Sequence, residues 1–307
     1  MAATRAFSGL AKTLAKAGIG TAVLLGAAAF TPAQPVGYND KGYPEWTDAQ
    51  MELPTLPLAP EGAVTLDVNL NGYVLGIKMI DADYDGWVGE ETYALRSNLK
   101  TAGLGALLKK LRIWAITQGR WDEAGLHPEM QIQQNRDKKK RRVEMDYDYA
   151  AERVNVSVIP PNGSQGVPPA SEKERFAADD TLTALLAIMG SRALWDGRPC
   201  TGAVPVFDSK QHYRLRLADR GVEDGKIGDY RGPIRRCDIY YEPVSGFDPE
   251  DLPDTEEGAT PVKVWMGDLG GYDVPLKFSY KISGFKATIK VDDLLMTFPD
   301  GRVIELD

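Results

Sequence analysis

Histidine, cysteine and long apolar runs are all scarce in this 307-residue chain, and each scarcity removes a class of function. The two histidines, His127 and His212, stand in different segments without HxH or HExxH spacing, so the sequence spells out no zinc site. The two cysteines, Cys200 and Cys237, form no CxxC pair and have no neighbouring histidine, which argues against a dithiol redox motif or a Cys-His nucleophile. Walker and dinucleotide glycine patterns are missing. In "NGSQG" (162–166) the glycine and serine are adjacent, which is not the GxSxG elbow. No segment repeats at a solenoid or propeller period. No cofactor is expected. A net charge of −8 makes neither nucleic acid nor an anionic membrane surface the expected partner.

What is present begins with a leader. Arg5, Lys12 and Lys16 supply positive charge without an acid, "AGIGTAVLLGAAAF" (17–30) is small and apolar, and Thr31-Pro32-Ala33 is a small-residue cleavage site. That order predicts a secretory signal peptide over 1–33. The run falls short of the ~20 residues of a comfortable membrane span, the mark of the alternative, an uncleaved anchor. Cleavage would remove three positive charges and take the chain from −8 to −11. Export to the periplasm in turn predicts a disulfide between Cys200 and Cys237, because an even pair in an oxidising compartment is most simply bonded.

Residues 34–62 hold five prolines without periodicity and read as a linker or extended arm. From 63 onward the chain alternates. "VTLDVNL" puts Val64, Leu66, Val68 and Leu70 on one face; "YVLGIKM" aligns Tyr73, Leu75, Ile77 and Met79; "TYALRSNL" aligns Tyr93, Leu95 and Leu99. "RIWAITQGRW", "MQIQQ", "VEMDYDY", "ERVNVSVI", "VKVWMGDL", "VPLKFSYKI", "FKATIKVDDL" and "RVIELD" continue the pattern. Period two means half-buried strands, so 63–307 is predicted as one domain, mostly antiparallel sheet. Two segments read as helices. "GLGALLKKL" (103–111) is short; "DDTLTALLAIMGSRALW" (179–195) places Leu182, Leu185, Leu186 and Met189 on one stripe, with Asp179 or Asp180 as N-cap. That stripe covers a sheet, and its four residues are candidate lining for a lipid-like ligand. The basic run "RDKKKRR" (136–142) reads as a solvated strand edge or turn.

"DADYDGW" (81–87) opens like an EF-hand, with Asp81, Asp83 and Asp85 at positions 1, 3 and 5 and Gly86 at 6. Position 12 is Thr92 rather than glutamate, and the flanks alternate like strands. The three aspartates are therefore a weak metal candidate. A hairpin is favoured, with a three-residue loop Tyr84-Asp85-Gly86, Gly86 left-handed, and Asp83 opposite Trp87, Ile77 opposite Tyr93 and Leu75 opposite Leu95.

From the second helix onward, "RPCTGAVPVFDSKQHYRLRL", "RRCDIYYEPVSGF" and "VKVWMGDLGGYDVPLKFSYKI" resemble the domain-of-unknown-function family 3108. Its members are exported proteins of Gram-negative bacteria. The resemblance implies a curved antiparallel sheet or partly open β-barrel covered by one or two short helices. By analogy of fold alone, that shape is similar to carriers that shield acyl chains. It implies no reaction and no catalytic residues. The expectation is a non-enzymatic periplasmic envelope protein that binds a hydrophobic ligand or an envelope partner. The alternative is a hydrolase of envelope polymers that uses a carboxylate pair.

Overall fold

The computed structural model describes residues 37–307 except 109, 138, 196, 254–257 and 283. The predicted leader lies outside the described residues.

The alternating segments form one antiparallel sheet. Its first half is β1 (Val64–Val74), β2 (Ile77–Val88), β3 (Thr92–Thr101), β4 (Arg112–Asp122), β5 (Gly125–Asn135), β6 (Arg142–Asp148) and β7 (Arg153–Ile159). The second half is β8 (Ala203–Phe207), β9 (His212–Ile227), β10 (Tyr230–Ser245), β11 (Val262–Leu269), β12 (Tyr272–Ile282) and β13 (Phe285–Thr297), with β14 (Val303–Leu306) beside β13. Strands neighbouring in sequence pair in space. The two halves join where β1 pairs with β13, and the spatial order runs from β7 through β1 and β13 to β8. The sheet curls into a partly open barrel, because β7 and β8 are its edges and do not pair.

Among the described residues four α-helices accompany it: α1 (Asp48–Met51), α2 (Gly103–Leu108), α3 (Glu172–Phe176) and α4 (Thr181–Trp195). The chain between β7 and β8 fills the gap. Ala170, Phe176 and Ala178 pack with Val143, Met145, Tyr147 and Val154 of one edge and Phe207 of the other. Backbone bonds from Phe207 N–H to Asp179 O (2.9 Å) and from Asp179 N–H to Pro205 O (3.0 Å) fasten that chain to β8. Cys200 and Cys237 are bonded and buried, with Cα atoms 5.8 Å apart. The bridge ties the segment after α4 to β10 in a cluster with Ile188, Leu217, Val264 and Met266.

The Pro-rich arm lies along the outside of the barrel. Leu53 and Leu56 cover Ile116, Met130 and Ile132 of β4 and β5, and the Trp87 indole donates to Pro57 O (2.8 Å). The "RDKKKRR" run is the β5–β6 turn, and it departs from a merely solvated edge. Arg136 stacks on Trp114 at 3.7 Å, and buried Arg142 pairs with Glu144 at 2.6 Å while donating to the Gln50 and Glu52 carbonyls. Arg136 also pairs with Glu52 of the arm, so two of the run's arginines clamp it.

The hairpin expected at Tyr84-Asp85-Gly86 does not form. β2 runs straight through the aspartates, and the turn lies earlier, at Leu75-Gly76, with φ of 52° and 81°. Two successive left-handed residues make the tight hairpin whose twist matches the flanking strands. Alternation misled here because Tyr73, Leu75, Ile77 and Met79 keep period two across a turn that reverses the chain. Asp83 faces Asn69 and Asn98, Trp87 faces Thr65 and Ala94, Tyr93 faces Val88, and Leu95 faces Gly86. Gly86 is not left-handed. A Cβ there would sit 2.4 Å from Ala94 O, so glycine serves close strand approach.

Candidate functional site

The barrel interior is a cavity built between the concave sheet and α4. Asp180 sets the helix start. Its Oδ1 accepts the N–H groups of Leu182 (2.9 Å) and Thr183 (3.2 Å), which satisfies two amides that a helix N-terminus leaves free. Its Oδ2 accepts the hydroxyls of Thr117 (2.9 Å) and Thr183 (2.5 Å), and Thr183 Oγ1 lies 3.0 Å from Tyr93 Oη. This wholly buried network pins the helix to β3 and β4. Near the far end, Arg192 pairs with Asp268 (2.9 Å) and Asp273 (3.4 Å) at the β11–β12 turn. The helix is held at both ends and spans the concavity as a fixed strut.

Two adjacent spaces lie along it. The smaller, about 50 Å³, is bounded by Leu182, Leu185, Leu186 and Met189 together with sheet residues such as Leu66 and Val68. The larger, about 230 Å³, is bounded by Thr181, Ala184, Leu185 and Ile188 and by inward residues of nine strands. Leu70, Tyr84, Leu185 and Phe278 border both. The sequence stripe therefore finds the smaller space, whereas the wall of the larger one is the adjacent helical row. That row was legible in the same periodicity but is interrupted by Thr181 and Ala184, which carry little apolar signal.

Among the described residues, no charged side chain stands in the wall of the larger cavity. Its polar groups are the Thr181 hydroxyl and the phenols of Tyr84, Tyr213, Tyr241 and Tyr280. Burial raises the pKa values of Tyr84, Tyr213 and Tyr241 and pushes Tyr280 up to about 12, so all four are neutral at physiological pH. Among the described residues the buried Tyr241 hydroxyl has no hydrogen-bond partner. Water needs two to four polar partners to occupy a cavity, and this wall offers scattered ones. The space suits a largely apolar guest with one polar atom at Tyr241.

The other candidates lie apart from the larger space, although Asp85 is among the residues bordering the smaller one. Asp81, Asp83 and Asp85 project outward from β2, each to its own partner. Asp85 takes a two-pronged contact from Arg96 (2.9 and 3.0 Å), Asp83 accepts from Asn98 (2.9 Å), and Asp81 meets Lys78 (2.7 Å). Among the described residues no three His, Cys, Asp or Glu side chains group to hold a metal. Two successive acids, Asp179 and Asp180, stand at the helix start; burial raises both pKa values, the Asp180 charge adds to the rise at Asp179, and hydrogen bonds from Thr183, Leu182 and Thr117 hold Asp180 back. The four hydrogen bonds to Asp180 commit it to the helix.

The family model for "Protein of unknown function (DUF3108)" matches residues 68–290, from the middle of β1 to the middle of β13. The chain belongs to the DUF3108 family. In this DUF3108 protein the matched span takes in the whole cavity wall and α4. Among solved structures it is similar to a β-barrel-like protein of domain of unknown function DUF1849 from Brucella abortus. The two are 10% identical over 76% of this chain and 96% of that one, with a TM-score of 0.41. No curated protein matches the sequence.

Proposed function

We propose that this DUF3108 protein is an exported, non-enzymatic envelope protein that binds one apolar or weakly amphiphilic molecule, such as an acyl chain with a neutral head, inside its barrel. The observation that carries this reading is the uncharged cavity of about 230 Å³, walled by aliphatic and tyrosine side chains and crossed by a helix anchored at both ends. That volume lies just under the roughly 300–1,000 Å³ of small-molecule sites, which fits a slender chain better than a bulky ring system. A wall without charge gives no counter-ion to an ionised head group, so the guest is neutral where it is buried. The buried disulfide and the charged-then-apolar leader support export to the periplasm.

The test is titration with the neutral fluorophore N-phenyl-1-naphthylamine. Saturable one-site enhancement, displaced by decanol and abolished by Ala184→Trp in a variant of unchanged circular dichroism, is expected. Enhancement that is unsaturable, or identical in Ala184→Trp, overturns the reading. Native mass spectrometry of protein purified from periplasm gives a second check on a co-purifying lipid.

A further inference from the structure

A second surface stands out on the outside of the same barrel. Along β12 and β13, Lys277 lies directly opposite Lys290 and Lys281 directly opposite Lys286. These four alternate with the cavity residues Phe278, Tyr280 and Ile289, so they project outward. Lys263 of β11, opposite Ser279, adds a fifth charge. Lys263, Lys281, Lys286 and Lys290 are exposed, and Lys277 rests on the Trp265 ring at 4.5 Å. Among the described residues none of the five has a carboxylate partner within salt-bridge distance. Like charges directly across a ladder repel, so this arrangement lacks an obvious stabilising role within the fold.

Apolar side chains stand beside these lysines at the rim. Leu75 in the β1–β2 turn and Ile77 just after it have 65% and 45% of their surface exposed, and the Leu75 N–H approaches Lys286 O at 3.4 Å. Next along the rim, α2 presents Leu104 and Leu107, 50% and 81% exposed; its start abuts Lys78, while Lys100 precedes it and Lys110 follows it in sequence. Of these, Lys78 and Lys100 have a counter-charge in Asp81. The overall charge of −8 makes a local excess of cations with interleaved leucines all the more distinct.

We infer that this rim docks on an anionic phospholipid surface. Lysines attract the head groups while Leu75, Ile77, Leu104 and Leu107 enter the interfacial layer, the two signals that reversible peripheral binding requires. The whole-chain charge argues against such a partner only on average. The screening length near 8 Å at physiological salt lets the local patch dominate at contact. The cavity residues Leu70, Ile80, Tyr280 and Ile289 lie a few positions from the same turns, so docking would bring the cavity end of the barrel to the bilayer. The inference goes beyond the cavity reading and does not depend on it.

The test is flotation of the protein with vesicles of equal parts phosphatidylglycerol and phosphatidylcholine, against vesicles of phosphatidylcholine alone. Binding to the anionic vesicles alone is expected, falling with added salt. It should drop at least about tenfold in Lys281→Glu/Lys286→Glu and weaken in Leu104→Ser/Leu107→Ser. Near-UV circular dichroism checks that each variant is folded, and Lys281→Gln/Lys286→Gln replaces the charge reversal if that pair fails to fold. Absence of flotation at low salt, or equal flotation of the lysine variants, overturns the inference. So does binding that ignores the leucine variant and is displaced by dextran sulfate, which would mark a general polyanion site. Probe binding inside the barrel is read separately, so either proposal can fail alone.

Discussion

The Tyr241 ring lies 4.6 Å from that of Tyr213, centroid to centroid, and its buried hydroxyl meets no hydrogen-bond partner among the described residues. A buried donor without a partner costs about 1–3 kcal/mol. Tyr241→Phe is therefore expected to leave urea stability unchanged or raise it. The same change should weaken displacement of the fluorophore by decanol roughly fivefold, the equivalent of one hydrogen bond, while displacement by decane is unaffected. A stability loss on Tyr241→Phe would mean that the hydroxyl has a partner in solution.

Asp180 collects four hydrogen bonds at the start of α4. Asp180→Ala removes the cap and strands the Thr117 and Thr183 hydroxyls. A loss of about 3 kcal/mol is expected in denaturant unfolding, with fluorophore binding lost at the same time. Intact probe binding in Asp180→Ala would show that the strut is not needed to hold the cavity.

Asp179 has its pKa raised well above the usual carboxylate range, first by burial and then by the Asp180 charge. The native state keeps this proton to a higher pH than the unfolded chain does. The resulting stability is complete below about pH 4 and is lost as pH rises through the native value. Asp179→Asn has no such dependence. Its melting temperature should exceed that of the wild type at pH 7, by roughly 2–4 °C per kcal/mol, and the two should converge towards pH 4. A pH-independent gap would contradict this.

The Cys200–Cys237 bond spans 37 residues. Cys200→Ser/Cys237→Ser should lower stability by about 3–4 kcal/mol. Ellman's reagent should find no thiol in non-reduced, denatured protein; recovery of two would refute the bond.

The strand register also has a test. Gly86→Ala would drive a methyl into the Ala94 carbonyl and should cost more than about 2 kcal/mol. Gly76 has open space around it and a φ of 81°, so Gly76→Ala should cost about 1 kcal/mol. The opposite ranking would restore a turn at Gly86.

The strand-rich class, the α4 helix and its cap were legible in the sequence because period two, period 3.6 and a leading aspartate are local signals. "VTLDVNL" shows this well: Leu66, Val68 and Leu70 all line the interior spaces. What was not legible depended on distant partners. The Leu75-Gly76 turn carries no Asn or Asp, and only pairing with β13 and β3 fixes its register. The roles of Arg136 and Arg142 depend on an arm about ninety residues away. The tyrosine wall gathers Tyr84, Tyr213, Tyr241 and Tyr280 from four strands, and no spacing within one strand could announce it.

The sheet can be followed as a ring in which the two kinds of break fall at different places. Near the described chain ends, β1 and β13 are stitched by hydrogen bonds, with Thr65 opposite Thr297. Where that stitching stops, between β7 and β8, the backbone itself continues as the helix-bearing connection. Opening that seam would break the two backbone bonds that tie Asp179 to Pro205 and Phe207 and the packing of Ala178 with Phe207, yet it would leave every rung between paired strands in place.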